Sequence, residues 1–80
     1  MDASPRRYLR YADLTGAYLW YANLTDAYLW YADLTGADLS YADLKFAAFG
    51  GATVTDAVFT GTYWHQTIWT DYVRYDSNQA

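Results

Sequence analysis

Apolar residues recur along this chain at a step of five. Leucine stands at positions 14, 19, 24, 29, 34, 39 and 44, and alanine precedes each of these leucines by two residues. A step of five smears around a helix axis and alternates between the two faces of a strand, so it fits neither element. The pattern predicts a chain that turns a corner every five residues. The leucine and its preceding alanine point inward, and the other three positions point outward.

The repeated units identify a family resemblance. ADLTG, AYLWY, ANLTD and ADLSY, read between Tyr11 and Tyr41, are similar to the A(D/N)LXX motif of the pentapeptide-repeat family. The resemblance implies an all-β fold, a right-handed quadrilateral β-helix (solenoid) with four pentapeptides per coil and about three coils. It divides the chain into an N-terminal leader that guards the edge (1–6), the β-helix (7–71) and a C-terminal cap or tail (72–80), whose polar end is expected to leave the coil.

Residues twenty apart share one side of such a coil, which predicts four inward columns. The inward side chains are small and aliphatic at first and become larger toward the C-terminus. The predicted core columns are Leu9, Leu29, Phe49 and Trp69; Leu14, Leu34 and Val54; Leu19, Leu39 and Phe59; and Leu24, Leu44 and Trp64.

Aromatic residues fill many outward positions, and units of the AYLWY type alternate with units of the ADLTG type. Alternate units fall on opposite faces, so the pattern predicts two aromatic faces. Exposed aromatic patches mark interaction surfaces, but rings in adjacent coils can also stabilise the coil itself. We favour the structural interpretation for the corner tyrosines and a contact surface for the two tryptophans. The candidate interaction surface comprises Tyr18, Trp20, Tyr21, Tyr28, Trp30, Tyr31 and Tyr41.

A second aromatic group lies near the C-terminus. The motif weakens after residue 46, and its last two units place tryptophan at the inward position. These aromatics are expected to cover the open end of the coil. The family resemblance implies a homodimer interface at that end in several members, and sequence alone does not distinguish a cap from a dimer interface. The candidates are Trp64, Trp69, Tyr72 and Tyr75.

Composition narrows the functional classes. The chain has no cysteine, and its net charge of −4 comes from acids dispersed along it, with no basic stripe. Direct nucleic-acid binding is therefore not expected. No apolar run has the roughly 18 residues of a membrane span, and no secretory signal is present, so we expect a cytoplasmic protein without a membrane contact.

Catalytic chemistry is not indicated. His65 is the single histidine and is predicted to face outward without a positioned partner. The regularly spaced Asp13, Asp33, Asp38 and Asp43 occupy the (D/N) position of the motif and are interpreted as framework residues. We expect no catalytic residues, no cofactor and no metal site.

Three functional hypotheses follow. The first is a non-enzymatic scaffold or protein-interaction module that acts through the aromatic faces or a C-terminal dimer interface, with an unidentified protein partner. The second comes from the resemblance, since quinolone-resistance members of the family mimic DNA and modulate DNA gyrase or topoisomerase. The third is a unit that stacks on copies of itself.

Overall fold

A computed structural model describes residues 8–80. The leader and the first predicted solenoid position, Arg7, lie outside the described residues. Parallel β-bridges join residues twenty apart throughout the repeat, beginning with Tyr8 to Tyr28 and ending with Ala48 to Ile68. The prediction of a β-helix solenoid is confirmed by this pattern, in which each coil of twenty residues pairs with the next.

Each five-residue side ends in the same corner. The N–H of Ala12 donates to the carbonyl of Leu9 at 3.1 Å, and this turn bond recurs from one side to the next. The third residue of each turn has a positive φ, for example 58° at Tyr11 and 68° at Gly16. A positive φ at this position is the mark of a type II turn. The five-residue step therefore comes from a left-handed corner residue that recurs every five positions.

Main-chain hydrogen bonds hold successive coils together. The N–H of Leu14 donates to the carbonyl of Asp33 at 2.8 Å, and the N–H of Asp33 donates back to the carbonyl of Ala12 at 2.9 Å. The same pair of bonds is repeated on each side of the coil as far as the bond from Phe49 to Ile68. The strands are too short to form extended sheets, so this ladder is divided into isolated bridges.

The core lies inside the coil. Leu29, Leu34, Leu39, Leu44 and Phe49 are fully buried, and so are the alanines at positions 27, 32, 37, 42 and 47. Each buried leucine contributes about 1.5–3 kcal/mol of transfer free energy. The small alanines allow the main chain to approach closely enough for the coil to close. In the first and third coils, Leu9, Leu14, Leu19 and Val54 are partly buried at the margin of this core.

The C-terminal segment folds back on the last coil. Strand β1 (Thr67–Ile68) pairs antiparallel with strand β2 (Arg74–Tyr75). The connection contains Tyr72, whose φ is 67°, in agreement with a hairpin loop that includes a left-handed residue.

The polar end does not continue the coil, but its side chains stay in contact with it. Asp76 Oδ1 accepts the N–H of Gln66 at 2.8 Å, and Asn78 Nδ2 donates to the carbonyl of Phe59 at 2.7 Å. Main-chain groups at the end of a solenoid have no next coil to pair with, and unpaired groups are costly when they are removed from water. The polar residues of the tail give some of them partners.

Replacing two corner glycines by alanine is expected to separate backbone strain from ring contact. Gly16→Ala places a Cβ in open space but at a φ of 68°, so we expect a loss of about 1 kcal/mol in the free energy of unfolding. Gly61→Ala has the same φ, and its Cβ would lie 2.5 Å from the ring of Tyr41. We expect a loss larger than that of Gly16→Ala, by about 1–3 kcal/mol. Urea denaturation of both variants checks this, and equal losses would contradict the ring contact.

Candidate interaction surface

One aromatic surface of the coil is open to solvent. The unit centred on Leu19 lies directly over the unit centred on Leu39, because these residues are twenty apart and the bridge from Tyr18 to Asp38 joins the two coils. This stacking brings together Tyr18, Trp20 and Tyr21 of one coil with Asp38 and Tyr41 of the next. We call these five residues the Trp20 face.

The rings of the Trp20 face contact one another but leave much of their surface exposed. The Trp20 ring centroid lies 5.5 Å from that of Tyr18 and 6.4 Å from that of Tyr41, and Tyr21 stacks on Tyr41 at 5.2 Å. Tyr18 and Tyr21 are 74% and 70% exposed, and Trp20 is 46% exposed. Rings that are already held in place lose little conformational entropy when a partner binds, which favours a contact surface.

Asp38 anchors the indole of this face. Trp20 Nε1 donates to Asp38 Oδ2, and the other carboxylate oxygen accepts the main-chain N–H of Ser40 at 3.0 Å and its hydroxyl at 2.6 Å. Hydrogen bonds from the Ser40 hydroxyl and from the Trp20 indole lower the pKa of Asp38. The carboxylate therefore stays charged at neutral pH and fixes the orientation of Trp20.

The second aromatic surface is partly covered by the chain itself, at its tryptophan. It consists of Tyr28, Trp30, Tyr31 and Tyr72, which we call the Trp30 face. The prediction that Trp30 is exposed is wrong, since its side chain is half-buried and its Nε1 has no hydrogen-bond partner among the described residues. Position 48, which corresponds to Asp38 on the other side, is alanine, so no carboxylate is available to this indole.

Tyr72 provides the cover on the Trp30 face. Its ring centroid lies 5.8 Å from that of Trp30, and its hydroxyl is 3.1 Å from the hydroxyl of Tyr31. The hydrogen bond with Tyr31 is the main cause of the raised pKa of Tyr72. A Cβ at Gly50 would lie 2.7 Å from the Tyr72 ring, so glycine at this position makes the contact possible. Tyr72 thus lies on the side of the coil, and not over its end as the sequence suggested.

The two C-terminal tryptophans close the end of the core within a single chain. Trp64 and Trp69 are only 8% and 9% exposed, and their ring centroids are 4.9 Å apart. Trp69 also contacts Phe59 at 5.1 Å. Tyr75 packs against the same core, and its hydroxyl donates to Asp71 Oδ2 at 2.7 Å. Since one chain already buries these indoles, the geometry favours a cap over a dimer interface.

The acidic position of the motif has a main-chain role. Asp33 Oδ1 accepts the N–H of Thr35 at 3.0 Å, and Asn23 Oδ1 accepts the N–H of Thr25 at 3.1 Å. The same short loop recurs at Asp13, Asp38 and Asp43. The residue after each central leucine sits at the start of a corner, and an Asp or Asn side chain reaches its N–H readily. This explains why the motif specifies Asp or Asn directly before the central leucine.

Sequence reasoning missed the pairing of Trp20 with Asp38. It treated the aspartate only as a framework residue, although both residues fall on the same side of adjacent coils. The signal that identifies the pair is their separation of eighteen residues in a chain whose coils repeat every twenty.

The expectation that His65 has no positioned partner is wrong. His65 Nδ1 lies 3.1 Å from Asp76 Oδ1, and about half of the histidine side chain is exposed. Residues 8–80 contain no group of three His, Cys, Asp or Glu side chains that could hold a metal ion. The same residues include no helix of the length and apolarity needed to cross a membrane.

Comparisons with known proteins agree on one family. A family model described as pentapeptide repeats matches residues 8–40 and 21–56, with eight copies of the repeat. The crystal structure of the pentapeptide repeat protein Rfr23 from the cyanobacterium Cyanothece 51142 is similar, with 35% sequence identity and a TM-score of 0.76. The match covers 78% of this chain and 43% of that chain, so this chain corresponds to less than half of its relative. A search of curated proteins found no match.

Acid is expected to weaken the fold through the motif aspartates. Hydrogen bonds from the hydroxyl and main chain of Thr35 lower the pKa of Asp33, and Asp13 behaves likewise with Thr15. Because the folded-state pKa lies below the ordinary value of 3.8, this stabilisation is complete above that value. It is lost as the pH falls through the lowered values. Denaturant midpoints measured between pH 7 and pH 2 check this. Asp33→Asn, which introduces the residue type found at Asn23, is expected to keep the loop and reduce the acid dependence. An unchanged dependence would contradict the assignment.

Asp38→Asn is expected to release the Trp20 indole. The introduced amide keeps one oxygen for Ser40 but presents its own N–H groups to Trp20 Nε1, and these cannot accept a hydrogen bond. We expect the Trp20 indole proton to shift upfield in the NMR spectrum and to exchange faster with solvent. Asp33→Asn serves as the matched control, because no indole contacts Asp33 in residues 8–80. An unchanged Trp20 signal in Asp38→Asn would contradict the anchor.

Proposed function

Because the chain belongs to the pentapeptide-repeat family, we propose that it is a non-enzymatic scaffold that binds a protein partner through the Trp20 face. The observation that supports this choice is the difference between the two aromatic faces. Tyr72 of the same chain packs against Trp30, which is half-buried, whereas Trp20 is 46% exposed and has no such cover among residues 8–80.

The chemistry of the Trp20 face suits a protein partner. Tyrosine and tryptophan are enriched at protein interfaces and among the residues that contribute most of the binding energy. The indole of Trp20 is already oriented by Asp38, and Tyr21 and Tyr41 are stacked, so binding needs little rearrangement. We take the supporting coils to be right-handed and four-sided, about three in number, as the family resemblance implies. Bridges every twenty residues and corners every five support four sides.

A homodimer through the C-terminal end is a less favoured form of the same proposal. Trp64 and Trp69 have little surface left for a second chain, although Tyr72 and Val73 are each about half exposed. Light scattering distinguishes the two forms. A monomer at about 100 µM agrees with binding through the Trp20 face, since a stable dimer saturates at that concentration. A dimer dissociated by Val73→Ser would assign the interface to the C-terminal hairpin.

Gyrase modulation and self-stacking rank below partner binding. A DNA mimic needs a mainly acidic surface, whereas tyrosines alternate with the carboxylates on the described coils. Stacking of copies needs open ends, and the hairpin and Asn78 occupy part of the C-terminal end. Inhibition of gyrase supercoiling, or assembly beyond a dimer, would reverse this order.

Trp20→Ala is expected to weaken partner binding at least about tenfold and to change stability little, as for a partly exposed hot-spot residue. A photocrosslinking amino acid at position 18 identifies the partner, and calorimetry with that purified partner measures the affinity. Tyr63→Ala removes a comparably exposed aromatic from another side and serves as the binding control. Equal effects of the two variants would contradict the choice of face.

Trp30→Ala serves as the stability control. Its ring is half-buried beneath Tyr72, so we expect a loss of about 2 kcal/mol, below the roughly 3–5 kcal/mol of a fully buried aromatic. The folded fraction of this variant should bind the partner normally. If Trp20→Ala is the more destabilising variant, Trp20 supports the coil and the proposal fails.

A further inference from the structure

The last coil ends in an open main-chain edge at residues 57–61. One coil earlier, the N–H groups of Leu39 and Tyr41 donate to carbonyls of the next coil at 2.8 Å each. The equivalent N–H groups of Phe59 and Gly61 have no acceptor among residues 8–80, and the carbonyl of Ala57 has no donor there. Two N–H donors and one carbonyl acceptor are therefore left unpaired, with the spacing of the ladder, on the edge that a further coil would pair with.

A cavity lies against this edge. It has a volume of about 350 Å³ and is lined by Ala57, Val58, Phe59, Thr60, Asn78 and Ala80. This volume falls in the lower part of the range of ligand-binding sites. The open edge and the cavity together form a site, and the edge at Val54 and Asp56, which has equally unpaired N–H groups among residues 8–80, does not line this cavity.

The tail of the chain borders the cavity without completing the ladder. Asn78 stands twenty residues after Val58, at the position that a further coil would occupy. It reaches the coil through its side chain, by the bond from Nδ2 to the carbonyl of Phe59, and the main-chain groups of the edge stay open. The tail thus forms one wall of the cavity and leaves the ladder positions unpaired.

We propose that this edge binds an extended peptide, which pairs in parallel with residues 57–61 as an additional five-residue side. An extended main chain supplies one donor for Ala57 and two acceptors for Phe59 and Gly61 at the required spacing, which is the basis of β-strand addition. The register follows from the coil above. There the residue bridged to Val58 is Asp38, whose N–H donates to the carbonyl of Ala17.

This site extends beyond the function proposed above because it uses main-chain groups and no residue of the Trp20 face. The two proposals can therefore fail separately. Trp20→Ala should weaken binding at the Trp20 face and leave peptide binding at the edge unchanged.

Amide hydrogen exchange with a peptide copied from the coil tests the proposal. The probe is the acetylated and amidated hexapeptide Gly-Ala-Asp-Leu-Ser-Tyr, which is the sequence of residues 36–41. At millimolar peptide we expect exchange of the Phe59 and Gly61 amides to slow at least about tenfold, as for amides drawn into a hydrogen-bonded ladder. The Val54 and Asp56 amides should not change, because they lie on the preceding side of the coil and the peptide pairs only with residues 57–61.

A peptide methylated on the nitrogen of its Asp is the matched control. It keeps every side chain but loses the donor for Ala57, so it should give no protection. Three results would overturn the proposal: unchanged exchange at Phe59 and Gly61, equal slowing at Val54 and Asp56, or equal action of the methylated peptide. Protection that appears without peptide and grows with protein concentration would overturn it in favour of a second copy of this chain.

Discussion

The fold depends on a left-handed corner every five residues that keeps coils of twenty residues in register. Most side chains disfavour a positive φ by about 1–2 kcal/mol, yet tyrosine, aspartate, phenylalanine and glutamine occupy many of these corners. Turn bonds and ladder bonds at most of these corners offset this strain, and the carboxylate loops add to them where the motif has Asp. At two tyrosine corners, stacking of Tyr11 on Tyr31 and of Tyr21 on Tyr41 adds further stabilisation.

Periodicity made the fold predictable, and its limits explain what was missed. Burial of Leu29 or Leu34 depends on local spacing that the sequence displays directly. The environment of a tryptophan depends instead on residues far along the chain. Trp20 and Trp30 stand in the same AYLWY context, but one is followed eighteen residues later by Asp38 and the other by Ala48. The contact with Tyr72 comes from a hairpin that has no counterpart in the repeat, so no spacing rule indicates it.

The Trp30 face illustrates how this scaffold accommodates an aromatic side chain. The ring of Tyr72 rests over Gly50 and meets the edge of Trp30, and its hydroxyl finds that of Tyr31. On the Trp20 face, the residue equivalent to Gly50 is Ser40, whose hydroxyl is bonded to Asp38. The backbone follows the same path on both faces. The residue twenty positions after the tryptophan is polar on the Trp20 side and glycine on the Trp30 side. The same repeat therefore supplies an intramolecular contact on one side and an open surface on the other.

Glycine ends each tyrosine stack. The rings of Tyr31 and Tyr41 lie where a Cβ would stand on Gly51 and Gly61, so the third coil contributes no ring to either column. The number of stacked rings on a corner is thus set by the identity of one residue per coil, with the inward leucines and alanines unchanged. Surface and core are encoded by separate positions of the repeat. Such a scaffold can acquire a new surface by substitution at its corners while the inward positions that support the coil stay as they are.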